Sequence, residues 1–505
     1  MLERLKSTVR HTLVYSLSNI AAKAVGVLLI PLFTAKLSLG EFGIWDLLDV
    51  TITILAEVFI LGQASSIIFL NNSDEYKNQK GTSLFTVATL VLAVSALLVV
   101  LVESVVSLFP RAFTNSLITP GYIRLGAYIV LLRVMNNLFL SKIRADEQSS
   151  YFTIVSIARI LLMTVLTIYL IAKLNKGIGG ILYAAATAEF VIILFLLVKV
   201  IPQMTVKFDV KILSAALKFG FPLVFMSLGF MMLNLSDRFV IKYLLGAKWL
   251  GVYGLGYRVA GVLNMFMILP FNLSLMPIAY KFYRQPDDKR YFSKLMSYST
   301  FFFVWGFVFL SLFSPELIKI FAQKNEFETA HLIVPVVLLS YVFSGMRLNA
   351  SLGMFLTKNT KHIAWITIGS AALNIALNFI FIPIFGIMAA AANTLIAFTI
   401  FYFVTQILSD KYYKIPFENR KLLTLILVGS VISAVVYFLP SHGSFFTTLI
   451  KLILTAAFPF LLYLFRFYEG AELDILLSPK KITDFIKGTI KVNDKEPTDS
   501  EMMIP

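Results

Sequence analysis

Several charged residues lie inside long apolar stretches of the sequence, where a charge is costly. Lys23 is the first of them, in the run 8–33, which is long enough to cross a bilayer as a helix. A charge at that depth costs about 2.5–3.5 kcal/mol on insertion scales. Polar or small residues accompany it at spacings of three and four, on the same face of a helix: Ser16, Asn19 and Gly26. We therefore expect this face to contact water or a charged partner.

The same spacing recurs in three other apolar stretches. One carries Asp46, Asp49, Thr53 and Glu57, a second carries Gly254, Arg258 and Gly261, and a third carries Ser340, Ser344, Arg347 and Ser351. Polar stripes on otherwise apolar helices point into a helix bundle or a water-filled cavity rather than at lipid.

Anion binding is the chemistry that these charges favour. Cations outnumber clear acids inside the apolar stretches, and a cavity with surplus positive charge suits a phosphate-bearing substrate and repels cationic drugs. Arginine offers a bidentate fork to phosphate oxygens, and lysine offers a point charge. We expect Lys23 and Arg258 to bind such a phosphate.

A structural role is the alternative for these charges. Lys23 would then only neutralise Glu57. Three charges near one predicted span end would form a satisfied network without substrate: Asp237, Arg238 and Lys242. For three others the two interpretations are evenly balanced, because none lies on a long polar stripe: Arg133, Arg159 and Glu189.

The sequence lacks the motifs of common soluble enzymes. It has no cysteine, and its four histidines are far apart, so we expect no metal site and no cofactor. No phosphate-binding P-loop, zinc-protease HExxH or GxSxG nucleophile motif occurs. We expect a protein that is not an enzyme.

Composition predicts a polytopic membrane protein. The 505 residues are 58% hydrophobic and 14% charged, which is more apolar surface than a soluble core can bury. Each span must be a helix, because lipid offers the backbone no hydrogen bonds. The predicted fold is all-α, with fourteen spans near 8–33, 43–69, 82–109, 120–140, 151–172, 178–199, 219–243, 249–272, 293–313, 330–356, 362–382, 386–408, 422–439 and 447–467.

Basic residues predict the orientation. Most lysines and arginines outside the spans lie in loops that share one side with both termini, so that side should be cytoplasmic. This bias explains most of the net charge of +16 without nucleic-acid binding. We expect a multi-pass protein of the cell inner (cytoplasmic) membrane.

Three short sequence pairs indicate an internal repeat. GILYAAAT at 180–187 matches GIMAAAAN at 386–393, FLSK at 139–142 matches FLTK at 355–358, and LGEFGIW at 39–45 resembles AKWLGVY at 247–253. Repeated halves place a substrate path at their interface. We predict a six-helix lobe at 1–200, a second at 201–410, two appended helices at 411–468 and a cytoplasmic tail at 469–505.

Three longer segments resemble one transporter family. They are VYSLSNIAAKAVGVLLIPLFTAKLSLGEFGIWDLLDV at 14–50, SDRFVIKYLLGAKWLGVYGLGYRVAG at 236–261 and NIALNFIFIPIFGIMAAAANTLIAF at 374–398. They look like the polysaccharide transporter branch of the multidrug/oligosaccharidyl-lipid/polysaccharide exporter superfamily, which includes O-antigen and lipid II flippases. The resemblance implies two six-helix lobes around a central cavity that opens alternately to either face.

The usual cargo of that family is a lipid-linked oligosaccharide with an anionic pyrophosphate. The favoured function is thus a flippase for an undecaprenyl-pyrophosphate-linked sugar unit in cell-surface polysaccharide biosynthesis, such as that of O-antigen and lipopolysaccharide. Lys23 and Arg258 would hold the diphosphate with help from Arg347. Glu57 would couple transport to an H⁺ or Na⁺ gradient. Other polar groups would contact sugar hydroxyls: Asn234, Asn264, Asn374 and Asn378.

Partners and rival functions follow from the same residues. We expect the lipid-linked substrate, membrane lipids and polysaccharide assembly proteins as partners. A cation-coupled multidrug or small-molecule exporter of the same superfamily is the main alternative, although it would favour acids in the cavity. An intramembrane polysaccharide polymerase would need a larger outer loop than Ser314–Thr329. A scaffold without transport activity is the last alternative.

The orientation gives a first testable prediction. The chain has no cysteine of its own, so Gln285→Cys, in a predicted cytoplasmic loop, can be labelled without background. An impermeant thiol reagent added outside intact cells should leave it unmodified, and the same reagent should modify it in opened membranes. Labelling of intact cells would reverse the predicted topology.

Overall fold

The computed structural model describes residues 25–109, 117–438 and 445–469. These described residues are 87% helical and contain no strand. The α-helices are α1 (Ile30–Lys36), α2 (Leu39–Phe59), α3 (Gln63–Asn72), α4 (Lys80–Leu108), α5 (Pro120–Ala145), α6 (Ser149–Ile168), α7 (Gly177–Val200), α8 (Val210–Leu235), α9 (Asp237–Leu244), α10 (Ala247–Leu263), α11 (Leu269–Phe282), α12 (Asp288–Leu312), α13 (Ser314–Phe321), α14 (Val334–Ala350), α15 (Leu352–Leu356), α16 (Lys361–Asp410), α17 (Asn419–Ala434) and α18 (Phe445–Leu464).

Eleven helical segments of the described ranges are long and apolar enough to cross a membrane. One of them, the 50-residue α16, breaks its helical geometry at Gly386 (φ 65°, ψ −149°) and covers two predicted spans. The predicted thirteenth span corresponds to α17, which has only 16 residues. Most of the predicted first span lies outside the described residues. The all-helical membrane fold is confirmed, and the count of fourteen stays a prediction.

Local signals in the sequence set several helix ends. Ser38 and Glu41 form a capping box at the start of α2, where each side chain accepts a hydrogen bond from the other residue's backbone N–H. Asp209 caps α8 through the backbone N–H groups of Lys211 and Ile212. The cap starts α8 nine residues before the span predicted at 219–243. The first turns of α8 are too polar to have been included in that predicted span.

The second predicted span is interrupted in its middle. Leu61 and Gly62 both have positive φ (52° and 70°), and they separate α2 from α3. Glycine adopts such a conformation without steric cost, whereas leucine does not. Hydrophobic periodicity gives no sign of this break, and the prediction of one continuous helix over 43–69 was wrong at this point.

The helices form two lobes. In the N-terminal lobe, α5 packs against α4 and α7, and α6 packs against α7. In the C-terminal lobe, α14 packs against α12 and α16, and α8 packs against α16. The lobes meet along two pairs of helices, α2 with α10 and α3 with α8. The boundaries predicted at 200 and 410 remain proposals.

The last two helices attach to the C-terminal lobe through α12 and through ion pairs. Lys451 in α18 is fully buried, and its Nζ lies 2.6 Å from Oε1 of Glu316. At the other end, Glu418 accepts hydrogen bonds from Lys294 and Ser297. Burial raises the pKa of Glu418, but the hydrogen bonds from Ser297, Lys421 and Lys294 outweigh it and lower the pKa to about 2.

Large apolar side chains cover much of the protein surface. Those that are more than half exposed include Leu97, Ile154, Phe190 and Phe195 on helices of the N-terminal lobe. A soluble monomer rarely exposes an apolar surface of this extent. Together with the eleven long apolar helices, it identifies a multi-pass membrane protein.

Candidate functional site

One buried carboxylate lies between the two lobes where α2 meets α10. Asp46 is 1% exposed and accepts hydrogen bonds from Arg238 Nε at 2.8 Å and Arg258 Nη2 at 2.7 Å. Asp46 belongs to the N-terminal lobe, and both arginines belong to the C-terminal lobe. A carboxylate from one lobe thus joins two guanidinium groups of the other. We call this end of the interface the Asp46 seam.

Further charged and aromatic groups surround the two arginines. Arg238 also contacts Asp237, whose carboxylate accepts a hydrogen bond from the Tyr253 hydroxyl. Arg258 also lies 3.2 Å from Asp49. Ring faces lie beneath the guanidinium groups: Tyr257 is 4.4 Å from that of Arg238, and Trp45 is 4.2 Å from that of Arg258. Three acids therefore face two arginines.

Glycines let the helices approach closely at this seam. A Cβ at Gly43 would overlap the carbonyl oxygen of Ala247, and one at Gly251 would overlap that of Leu39. A Cβ at Gly254 would lie 2.9 Å from Oδ2 of Asp46. Any larger residue at these positions would separate the two backbones and lengthen the contacts between Asp46 and its arginines.

The segment before α14 adds hydrogen bonds and a ring contact to the Asp46 seam. Thr34 donates its hydroxyl hydrogen to the carbonyl oxygen of Phe321 at 2.6 Å, and Lys324 Nζ donates to that of Leu37 at 2.6 Å. The rings of Phe42 and Phe327 pack edge to face, with centroids 5.4 Å apart. This end of the interface is closed by ion pairs, hydrogen bonds and aromatic packing together.

The opposite end of the interface, where α3 meets α8, uses weaker contacts. Ser66 Oγ donates a hydrogen bond to the carbonyl oxygen of Ala216 at 2.8 Å, and Phe69 stacks on Phe219 with centroids 4.4 Å apart. Gly62 and Gly220 touch backbone to backbone, where a Cβ on either would collide. No ion pair between described residues crosses this Ser66 seam.

Two cavities lie beside the interface. The larger, about 290 Å³, is bounded by α2, α3, α5, α6 and α8. We call it the Arg159 cavity, and its polar lining is Glu57, Ser65, Asn137, Ser141, Arg144, Ser156, Arg159 and Ser227. The smaller cavity, about 140 Å³, has three charged side chains in its lining: Asp49, Arg133 and Arg258. We call it the Arg258 cavity. In each cavity two arginines face one acid.

The residues predicted to bind substrate are spread over these features. Arg258 lines its cavity with its side chain 23% exposed, although Asp46 and Asp49 already bind its guanidinium group. Glu57 lines the Arg159 cavity and forms no ion pair with another residue of the described ranges. Lys23 lies outside the described residues, so its predicted proximity to Glu57 stays a prediction.

Arg347 lies elsewhere in the C-terminal lobe. It is 9% exposed, and its guanidinium group lies 4.7 Å from the ring centroid of Phe401 and 5.8 Å from that of Phe230. Its Nε has no hydrogen-bond partner among the described residues. A buried cation held only by aromatic faces is costly, which is typical of a site that awaits an anion.

The predicted sugar-binding asparagines have different environments. Asn374 and Asn378 are fully buried; Asn378 donates to Asn374 and accepts a hydrogen bond from Asn393. In this conformation they join the two halves of α16 and do not line either cavity. Asn234 and Asn264 are partly exposed, at the end of α8 and at the start of a π-helical turn, Asn264–Ile268.

A polar stripe on α5 was missed in the sequence. Arg133, Asn137, Ser141 and Arg144 follow one another at spacings of four, four and three, on one face of the helix. Its spacing is visible in the sequence, but the predicted span ends at residue 140, before the last two residues of the stripe. Asp237 and Arg238 form an ion pair with each other, as the structural alternative predicted, whereas Lys242 forms no ion pair within the described ranges.

Comparison with known proteins identifies the family. A model of the family described as "Polysaccharide biosynthesis protein" matches residues 8–283, which is more than half of the chain. The chain belongs to this family. No curated protein matches it in sequence.

Several solved structures of membrane transporters share the fold. A lipid II flippase, MurJ, in an inward closed conformation has a TM-score of 0.61 at 17% identity, over 89% of this chain and 99% of that one. A multidrug resistance MATE family transporter in an inward-facing conformation has a TM-score of 0.60 at 16% identity, over 81% of this chain and 95% of that one. A superfamily transporter from Pyrococcus furiosus Vc1, with a binding pocket of reverse polarity, has a TM-score of 0.58 at 16% identity, over 82% and 96%. At such identities the likeness shows the fold alone.

The Asp46 seam gives a second testable prediction. A Cβ at Gly40 would lie 3.8 Å from that of Ala247, which is the usual Cβ–Cβ distance in a disulfide. Gly40→Cys/Ala247→Cys should therefore cross-link on mild oxidation in membranes, as measured by mass spectrometry of the linked peptides. Asp46→Asn should slow the cross-linking roughly tenfold. This effect is smaller than that of leaving a buried charge wholly unpaired, because each arginine keeps a second acid.

The control is Gly40→Cys/Lys248→Cys, because Lys248 follows Ala247 and points about 100° away around the helix. Equal cross-linking of both pairs would contradict the closed seam.

Proposed function

We propose that this protein is a flippase that moves an undecaprenyl-pyrophosphate-linked oligosaccharide from the cytoplasmic to the outer leaflet by alternating access. The observation that carries the proposal is the pair of arginines that lines each cavity beside the interface between the lobes. Membership in a polysaccharide biosynthesis family supports a sugar-bearing cargo. The fold shared with a lipid II flippase is consistent with a lipid-linked cargo.

Arg258 is the proposed central phosphate ligand, together with Lys23. Asp46 and Asp49 hold the guanidinium group of Arg258 while the Asp46 seam is closed. A diphosphate offers the same bidentate oxygen geometry as these carboxylates. It would therefore exchange with them when the seam opens, which links substrate binding to the movement of the lobes. Arg347, which has no acidic partner within the described ranges, would assist from the C-terminal lobe.

The proposed sugar contacts are of two kinds. Asn234 and Asn264 are partly exposed and stand outside the buried network, although neither lines one of the two cavities. Asn374 and Asn378 bind one another, so they would contact sugar only after the buried network opens. We propose that the first two carry the earlier contacts.

Glu57 is the proposed coupling group for an H⁺ or Na⁺ gradient. It lines the Arg159 cavity together with Arg144 and Arg159. The coupling ion would bind this carboxylate and leave it as the cavity opens to one side of the membrane and then to the other. We place the protein in the inner membrane with both termini cytoplasmic and with polysaccharide assembly proteins as partners in O-antigen or lipopolysaccharide synthesis.

A cation-coupled multidrug exporter is less consistent with the cavities. The guanidinium groups that line both cavities disfavour a cationic drug at close range. The likeness to a multidrug transporter extends to the fold and not to these side chains.

The function is tested by transport of a lipid-linked oligosaccharide in reconstituted vesicles. Lys23→Ala and Arg258→Ala should each reduce transport at least tenfold, because each removes a phosphate ligand. Lys23→Arg should retain much of the activity, whereas Arg258→Lys should lose more through the missing fork. If Lys23 only neutralises Glu57, the double variant Lys23→Ala/Glu57→Ala should recover transport, and that recovery would refute its role in phosphate binding.

Coupling is tested in the same vesicles under imposed gradients. Glu57→Gln should keep substrate binding and remove the dependence of the transport rate on pH or sodium, because the amide cannot change its charge. Glu103→Gln is the matched control, because it removes an acid of α4 that pairs with Arg124 away from both cavities. An unchanged ion dependence in Glu57→Gln would leave the residue with a structural role.

A further inference from the structure

The Arg159 cavity and the Arg258 cavity are joined by one carboxylate. Glu189 is 5% exposed and lies among the helices of the N-terminal lobe. Its Oε1 is 3.3 Å from Arg133 Nε, and its Oε2 is 3.6 Å from Arg159 Nη1. Arg133 lines the Arg258 cavity, and Arg159 lines the Arg159 cavity. A single acid therefore holds one arginine from each cavity.

The polar stripe of α5 runs past both cavities. Arg133 stands at one end and Arg144 at the other, eleven residues apart, which is about 16 Å along a helix. Asn137 and Ser141 lie between them and line the Arg159 cavity. On the neighbouring helix α6, Arg159 lines one cavity and Met163, one turn further, lines the other. The two cavities are thus successive positions along the same pair of helices.

The charges along this line favour an anion over a cation. Arg133, Arg144 and Arg159 carry three positive charges along this line, against the two acids Glu189 and Glu57. Asn136 takes part of the hydrogen-bonding capacity of Glu189 at 2.8 Å. Arg144 lines the Arg159 cavity, and its Nη2 donates to Ser141 at 2.7 Å. Arginines that face a polar cavity suit the oxygens of a phosphate group.

We propose that the Arg159 cavity is a first binding station for the diphosphate of the lipid-linked substrate, and that Arg144 and Arg159 are its ligands. Glu189 positions Arg159 and Arg133 so that the diphosphate passes from this station to the Arg133 and Arg258 side chains of the second cavity. The station rests on the proposed flippase function, but its residues are different from Lys23 and Arg258, which bind the substrate later.

The shape of the cavity agrees with this order. Its walls come from both lobes, since Leu223 and Ser227 of α8 complete the lining. It lies next to the Ser66 seam, whose closure depends on one hydrogen bond, an aromatic stack and glycine contacts. An anion held there would be reached through the seam that is easier to open.

Charge-selective labelling tests the station without any transport assay. Ser65 is exposed and lines the cavity, so Ser65→Cys supplies the only thiol in the chain. Its modification rate is measured with methanethiosulfonate reagents that carry a sulfonate, a trimethylammonium group or no charge. The sulfonate reagent should react faster than the ammonium reagent, each relative to the neutral one. Arg144→Gln and Arg159→Gln should each lower that preference by about tenfold, the order expected from one charge nearby.

Matched variants separate charge from folding. Arg159→Lys keeps the charge and should keep the preference. Arg124→Gln removes the same charge from the other end of α5, where Arg124 pairs with Glu103, and should change nothing. Glu189→Gln should raise the preference for the sulfonate reagent, because it removes the acid that the two arginines share. The rate with the neutral reagent and elution as a single species check that each variant is folded.

Geranylgeranyl diphosphate is the ligand probe. It should slow the sulfonate reaction at Ser65→Cys at least fivefold, and Arg144→Gln/Arg159→Gln should abolish this protection. The station would be overturned if Ser65→Cys with both arginines intact showed no charge preference. It would also be overturned if neither arginine variant changed that preference. A preference without protection would overturn its assignment to a diphosphate. If vesicles of the wild-type protein move no lipid-linked oligosaccharide, the proposed function fails whatever the labelling shows; normal transport with unselective labelling removes only the station.

Discussion

The interface between the lobes depends on the burial of Asp46. A carboxylate in an apolar environment is stable only when it is paired and hydrogen-bonded, and here both partners come from the opposite lobe. Separating the lobes at this point would leave one buried acid and two arginines without their shared contact, at a cost of about 3–5 kcal/mol for a broken buried pair. The close glycine contacts of α2 with α10 place the helices near enough for these bonds to form. Any opening of this seam must supply water or another anion to the arginines.

The Ser66 seam imposes a different constraint. Its contacts are neutral, and a typical neutral hydrogen bond contributes only about 0.5–1.5 kcal/mol. The two ends of the interface therefore differ in how much electrostatic free energy their separation requires. In the proposed transport cycle, the Asp46 seam is therefore the end that stays closed at rest. The larger cavity lies next to the Ser66 seam.

Much of this arrangement could be predicted from sequence, and the pairing of distant residues could not. Spacing alone indicated that Asp46 and Arg258 face the interior, because each lies on a polar stripe of an apolar helix. That they bind each other across 212 positions depends on how the lobes pack, which no local pattern records. The break at Leu61 and Gly62 also escaped prediction, since apolar residues continue through it. Asn374 and Asn378 looked like sugar ligands because polarity in a span suggests a cavity, yet other buried amides satisfy them.

The break between α2 and α3 has a consequence for the transport cycle. The Asp46 seam is on α2 and the Ser66 seam is on α3, so the residues that close the two ends belong to separately oriented halves of one span. A rigid rod would have to tilt as a unit, and closing one end would pull the other apart. With the joint at Leu61 and Gly62, both ends can be shut at the same time, as they are here. In the proposed transport cycle, this joint allows an occluded intermediate in which neither seam is open.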